Sequence, residues 1–190
     1  MDLFDAIRDR RSIRSFKPDP VPDELLEKVL DAGRWAPSAG NLQPWEFIVV
    51  KDKEVKKQLT RAALGQSFVF EAPVDIVVCA NRERSARYYG SRGWEFYSLC
   101  DTSAAIQNML LAAHGLGLGA CWIGAFRDEE VSRVMNLPEH VRPVAIIPIG
   151  YPDRPPPRPP SRLPLDRLVH KDRYGEKNKV RGLQAGLLYF

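Results

Sequence analysis

Gly115-Leu116-Gly117-Leu118-Gly119-Ala120-Cys121-Trp122-Ile123-Gly124 is the stretch on which the fold turns. In a dinucleotide-binding Rossmann turn the glycines follow a strand and open a helix, spaced GxGxxG. Here the spacing is GxGxG, and the glycines follow a helical run and open an apolar, strand-like one. The order of elements speaks against a Rossmann site. Gly115 to Gly119 reads as helix termination, and Gly124 as a position whose missing side chain lets backbone amides approach a flat ring.

Upstream of these glycines a long helix is expected from about Trp94 to His114. Its small residues (Ser98, Ser103, Ala104, Ala105, Ala112, Ala113) suit either a core position or a dimer interface. Downstream come a strand over Gly119–Gly124, a helix from Arg127 to about Met135, and an apolar strand from Pro143 to Gly150.

Nearer the N-terminus, Leu3, Phe4 and Ile7 recur at helical spacing over residues 2–10. Pro22, Asp23 and Glu24 open a second helix whose stripe is Leu25, Leu26, Val29 and Leu30 and which Gly33 and Pro37 stop. Glu46–Val50 reads as a strand. Asp52 reads as the N-cap of a helix carrying Val55 and Leu59, and Val74–Ala80 as a buried strand behind Pro73. Such alternation of strands and helices suggests a parallel, doubly wound sheet.

The chain has 190 residues of 44% hydrophobic content, enough for one core. Its net charge of +4 tolerates nucleic acid without demanding it, because the basic residues alternate with Asp and Glu along the helices. Cys79, Cys100 and Cys121 are far apart in apolar stretches, which points to buried thiols in a reducing compartment. His114, His140 and His170 are too scattered for metal-ligand spacing. With no cationic leader and no run of 18 apolar residues, a soluble cytoplasmic protein is expected. Residues 151–164 hold seven prolines and three arginines, so they run as an extended strap or linker. The apolar end, Gly182–Phe190, is expected to dock on a neighbouring surface.

Two segments carry chemistry. In Arg10-Arg11-Ser12-Ile13-Arg14-Ser15-Phe16, an extended backbone puts Arg10, Ser12 and Arg14 on one side and Arg11 and Ile13 on the other. The result is either a face for a long phosphorylated ligand or a solvated basic stretch after a helix. Pro37-Ser38-Ala39-Gly40-Asn41-Leu42-Gln43-Pro44-Trp45 offers Ser38, Asn41 and Gln43 as donors and acceptors for ring carbonyls and nitrogens. Read more plainly, it is a helix-to-strand connection.

Together, Arg-Arg-Ser-x-Arg-x-Phe, Pro-Ser-x-x-Asn-x-Gln-Pro-Trp-x-Phe, Gly-Leu-Gly-x-x-Trp-Ile-Gly and Ile-Gly-Tyr-Pro before the Pro/Arg strap resemble the FMN-dependent nitroreductase family over residues 2–174. The resemblance implies an α+β fold, with a mixed, largely antiparallel sheet flanked by helices. It also implies an intertwined homodimer with FMN in the interface, and a C-terminal arm over 175–190 packed on the partner. Position by position, Arg10, Arg11 and Ser12 match phosphate and ribityl contacts, and Arg14 the cation near the pyrimidine edge. Pro37, Ser38, Ala39 and Asn41 match contacts that arrive from the other subunit. Ile123 and Gly124 match backbone amides near flavin N5 and O4, Arg162 a late basic residue returning to the phosphate, and Gln66 a weaker match at the pyrimidine edge.

The implied activity is ping-pong hydride transfer from NAD(P)H through FMN to a nitroaromatic, quinone or other planar acceptor, without metal, membrane or nucleic acid. The implied alternatives on the same fold are oxygen-dependent cleavage, reductive dehalogenation or passive flavin binding. Between strand and long helix, residues 80–94 form a basic, aromatic insert with Arg82, Arg84, Arg87, Tyr88, Tyr89, Arg92 and Trp94. It reads as a lid favouring anionic or planar oxidants, or as a solvated loop.

Overall fold

The computed structural model describes residues 1–176, in two units: Met1–Pro157, and a second that begins at Arg158. The expected docking of Gly182–Phe190 lies outside the described residues. In the first unit, helices α1 (Leu3–Asp9) and α2 (Asp23–Arg34) precede a 3₁₀ turn at Ala39–Asn41. There follow β1 (Trp45–Val50), α3 (Lys53–Ala62), α4 (Phe68–Glu71), β2 (Val74–Asn81), α5 (Arg82–Arg92), a π-helical turn at Gly93–Tyr97 and α6 (Ser98–Gly115). The unit closes with β3 (Gly119–Ala120), α7 (Asp128–Val134) and β4 (Val141–Gly150). In the second unit, α8 (Leu165–Leu168) is a single short turn.

The sheet has the order β1-β2-β4-β3, and each of these neighbouring pairs is antiparallel. Among the described residues a parallel element enters only where Ser12 bridges Ala120. This overturns the parallel sheet that element alternation suggests and agrees with the largely antiparallel sheet implied by the resemblance. The misleading signal is β2, which is buried on both faces and so reads as a continuous apolar run of parallel-sheet type. Val74, Ile76 and Val78 pack toward α2 and α6, whereas Val77 and Cys79 pack toward α3, α4 and α7, so the sheet is the middle of three layers. Between Val78 and Cys79 the register with β4 slips by one residue beside Pro143, which has no N–H to give the ladder.

α2 and α6 approach closely because position 33 is glycine. A Cβ there would lie 2.8 Å from Met109 Cγ and 3.1 Å from Phe47 Cζ. α1, capped by Asp2 through the Phe4 N–H, buries only Ala6, and its stripe of Leu3, Phe4 and Ile7 faces solvent at 61%, 63% and 51% exposure.

Three local expectations change. The expected strand over Gly119–Gly124 is formal strand only at Gly119–Ala120, and then re-pairs where Ile123 and Ile146 exchange N–H···O bonds at 3.0 Å each way. Residues 82–92 form a helix rather than a loop, capped by Asn81 Oδ1, which accepts the Arg84 N–H, and broken at Gly90, whose φ is 54°. Cys100 is exposed rather than buried, whereas Cys79 and Cys121 are buried as expected. Among the described residues no helix is long and apolar enough to cross a membrane.

Candidate active site

Arg10–Lys17 is an extended strap laid along the β3 edge. The Ile13 N–H donates to the Ala120 carbonyl (3.0 Å), the Lys17 N–H to the Tyr151 carbonyl (2.8 Å), and the Asp153 N–H to the Ser15 carbonyl (3.1 Å). Ile13 and Phe16 point into the core and anchor it, while Arg14 is exposed. Arg14, Ser12 and Arg10 all act on one group, the Cys121 thiol. Burial pushes this thiol up, while Arg14, Ser12 and Arg10 pull it the other way.

Arg11 leaves that set. Its Nη1 donates back to the Arg8 and Arg10 carbonyls (2.6 and 2.9 Å) at the end of α1. Its Nε is buried without a hydrogen-bond partner among the described residues, as is His114 Nε2. Both residues line a cavity of about 240 Å³ with Arg10, Ile13, Leu110 and Ala120. Burial lowers the His114 pKa; Arg10 and Arg11 push the same way and Asp9 opposes them. Burial therefore favours the neutral imidazole, beside guanidinium groups.

Gln66 reaches the other end of the glycine-rich segment. Its Nε2 donates to the Ala63 carbonyl (2.9 Å) and the Ala125 carbonyl (3.0 Å), which ties the α3–α4 turn to the residues after Gly124. The bridge to Ile146 occupies the Ile123 N–H, so of the two expected amides only that of Gly124 is without an acceptor among the described residues. Gly124 is exposed beside Trp122.

The Pro37–Trp45 loop is held elsewhere. The Ala39 N–H donates to both carboxylate oxygens of Asp101 at 3.2 Å, in the first turn of α6. Ser38 Oγ accepts the Gln43 N–H (3.0 Å), and Asn41 and Gln43 adopt left-handed φ of 56° and 49°. Pro37 and Asn41 are exposed, and Trp45 is core. Asp101 and His114 are thirteen residues apart on α6, about 20 Å at 1.5 Å per residue. The strap and the loop therefore sit at opposite ends of one helix. Arg162 belongs to the second unit, where its Nη1 donates to the Ser161 carbonyl at 3.3 Å and its side chain is exposed.

The sequence reading missed Asp101, His114 and Cys121. Asp101 is an acid among small residues in the first turn of a long helix, and His114 closes that helix before a glycine. Either pattern was open to being read as an anchoring position.

The nitroreductase family model matches residues 7–66 and 60–151 of the chain. A protein of Methanothermobacter thermautotrophicus is 41% identical over 158 residues, covering 80% of this chain and 78% of its own length. The NAD(P)H-dependent FMN reductase of Bacillus subtilis is 34% identical over 193 residues, covering 94% of this chain and 77% of its own. Among solved structures, the NADPH:FMN oxidoreductase of Vibrio harveyi, complexed with NAD+, superposes with a TM-score of 0.82 at 31% identity, covering 92% of this chain and 79% of that one.

Proposed function

The chain belongs to the nitroreductase family, and on that premise we propose that it is an FMN-dependent NAD(P)H oxidoreductase, acting as a homodimer on a planar nitroaromatic or quinone acceptor. The donor set fits the cofactor. Arg11 Nε and His114 Nε2, both buried and unpartnered among the described residues, line one cavity with Arg10, and a phosphate ester answers the Arg11 donor and the surrounding cations. FMN, when bound, supplies reversible two-electron hydride chemistry between NAD(P)H and the acceptor, in two separate half-reactions.

The protein's own residues hold, orient and polarise. Arg10, Arg11 and Ser12 bind the phosphate and ribityl chain. Arg14 presents a permanent positive charge on the Cys121 side of the strap, where it stabilises negative charge developing at the pyrimidine edge. The Gly124 N–H is the backbone donor for the ring, and Gln66, locked onto the Ala125 carbonyl, holds that segment in place.

The observation that carries the dimeric reading is the separation along α6. Strap and loop are two halves of one contact set, yet about 20 Å of helix lies between their anchors. A second copy brings its Pro37, Ser38, Ala39 and Asn41 to the strap of the first. The exposed apolar stripe of α1 and the half-buried Ser103, Ala104 and Ala112 of α6 supply surface for that pairing, whereas Ser98, Ala105 and Ala113 are buried within the chain.

The test is a purified protein with a flavin absorbance band, one FMN per chain and a dimer mass, mixed anaerobically with NADH or NADPH. Rapid bleaching followed by rapid reoxidation on adding a quinone is the expected result. A colourless protein, a monomer, or bleaching over many minutes overturns the proposal.

A further inference from the structure

Beyond the loop anchored by Asp101 lies a group of residues that the chemistry above does not use. Tyr89, on α5, stands over the loop so closely that a Cβ on Gly40 would be 2.7 Å from its hydroxyl. Its ring meets Tyr97 edge-on at 5.1 Å, and Tyr97 meets Phe96 at 5.9 Å. The guanidinium of Arg92 lies 5.1 Å from the centroids of both Phe96 and Tyr97, and its Nε donates to the Tyr97 hydroxyl at 2.9 Å. A continuous line of contacts thus runs from the loop at Gly40 to the Arg92 charge.

The other arginines of α5 are already engaged. Arg84 pairs with Glu46 and donates to the Gln43 carbonyl, Arg87 pairs with Glu83, and Arg82 stacks on Trp94 while donating to the Glu139 carbonyl. Arg92 differs. Among the described residues it has no carboxylate partner, and its two Nη atoms make no hydrogen bond. Phe96 beside it, and Tyr89 beyond Tyr97, are exposed at 51% and 39%. A cation held in place by aromatic faces and one hydroxyl, with its fork open to solvent, suits a ligand that is flat and acidic. Rings take the flat part, and the fork takes a carboxylate bidentately.

We propose that Arg92, with Tyr89, Phe96 and Tyr97, forms a subsite that selects planar acceptors bearing a carboxylate, and so sets the substrate class of the oxidoreductase. This rests on the function proposed above, because the subsite adjoins the loop assigned there to the flavin. Arg92 binds the acceptor's acid group and takes no part in hydride transfer.

The experiment compares 4-nitrobenzoate with 4-nitrobenzamide, which match in shape and differ in charge, on the FMN-loaded wild type and on Arg92→Gln and Arg92→Lys. The carboxylate-to-amide ratio of kcat/KM should fall about tenfold in Arg92→Gln, mainly through KM, and be only partly kept in Arg92→Lys, which holds the charge but not the fork. Without reductant, the perturbation of the oxidised flavin spectrum by 4-nitrobenzoate should show the same weakening of Kd. Raising the salt concentration on the wild type alone should lower the ratio, which keeps the idea testable should a variant misfold. A ratio unmoved by Arg92→Gln or by salt overturns the subsite, as does a loss confined to the NAD(P)H half-reaction. A wild type without flavin, or without NAD(P)H oxidation, overturns the proposed function instead.

Discussion

The backbone amide of Ala39 donates to both carboxylate oxygens of Asp101 at 3.2 Å, pinning the 3₁₀ turn to the start of α6. Asp101 is 8% exposed, and burial raises its pKa while the Ala39 amide pulls it down. Asp101→Ala leaves that amide without its acceptor, at a cost of about 1–3 kcal/mol. Asp101→Asn keeps one acceptor oxygen and loses less. Urea unfolding measures the stability change, and FMN titration by flavin fluorescence measures the consequence for binding. Weaker FMN binding in Asp101→Ala than in Asp101→Asn is expected; equal binding in all three proteins would remove the loop from the cofactor site.

A buried pair beneath the sheet gives a pH signature. Lys56 Nζ lies 3.8 Å from Asp75 Oδ2 and donates to the Phe70 carbonyl (3.1 Å) and to that of Ala72. Neither carboxylate oxygen of Asp75 has a hydrogen-bond partner among the described residues. Burial pushes the Asp75 carboxyl from 3.8 up to about 8, against the pull of Lys56. Between those values the folded chain keeps a proton that the unfolded chain has released, so stability falls as pH rises, by at most about 1.4 kcal/mol per pH unit. This contribution is complete below about pH 4 and lost as pH rises through about 8. Lys56, lowered by burial, gives a slope of opposite sign on the way to its ordinary 10.5. Urea midpoints at pH 5, 7 and 9 for wild type and Asp75→Asn isolate the Asp75 part. The difference between the two proteins should shift steadily across the range, and a constant difference would refute it.

Much of this was legible in the residues, and the failures have physical causes. Leu25, Leu26, Val29 and Leu30 mark α2 because one helix face is apolar and the other wet. α5 escaped notice because it has no such face: its residues are mostly charged or aromatic, and only Ser85 is buried. Strand direction was hidden because β2 is covered on both sides and carries no alternation. At the strap, Arg10–Phe16, Ile13 and Phe16 are both buried although three residues apart, so strict alternation does not describe its whole length. Asp101 and His114 show in the sequence only as an acid near the start of a long helix and a histidine at its end; the residues they meet, 62 and about 100 positions away, are set by the fold.

Gly33 sets how closely α2 and α6 pack. A Cβ there would lie 2.8 Å from Met109 Cγ and 3.0 Å from its Sδ, with Met109 fully buried. Gly33→Val therefore overpacks the interface and should destabilise the protein by about 1–3 kcal/mol. In a Met109→Ala background, itself costing about 2–5 kcal/mol, the same substitution should be cheaper because it fills space just vacated. Thermal or urea unfolding of the four proteins in a double-mutant cycle gives the coupling, expected to exceed 0.5 kcal/mol in the direction of rescue. Simple additivity would show that the two side chains do not compete for one volume.

Arg14 separates binding from electrostatics. It is exposed, and its guanidinium acts on the Cys121 thiol from the same side of the strap as Ser12. With the phosphate contacts assigned, as proposed, to Arg10, Arg11 and Ser12, Arg14→Ala should still purify with FMN. What it lacks is a fixed positive charge where negative charge develops, and an effect of this kind appears in rate more than in affinity. Anaerobic stopped-flow mixing with NAD(P)H should show flavin bleaching slowed about tenfold, equivalent to about 1.4 kcal/mol of barrier, with partial recovery in Arg14→Lys. Unchanged bleaching in Arg14→Ala would assign the residue to solvation of the strap alone.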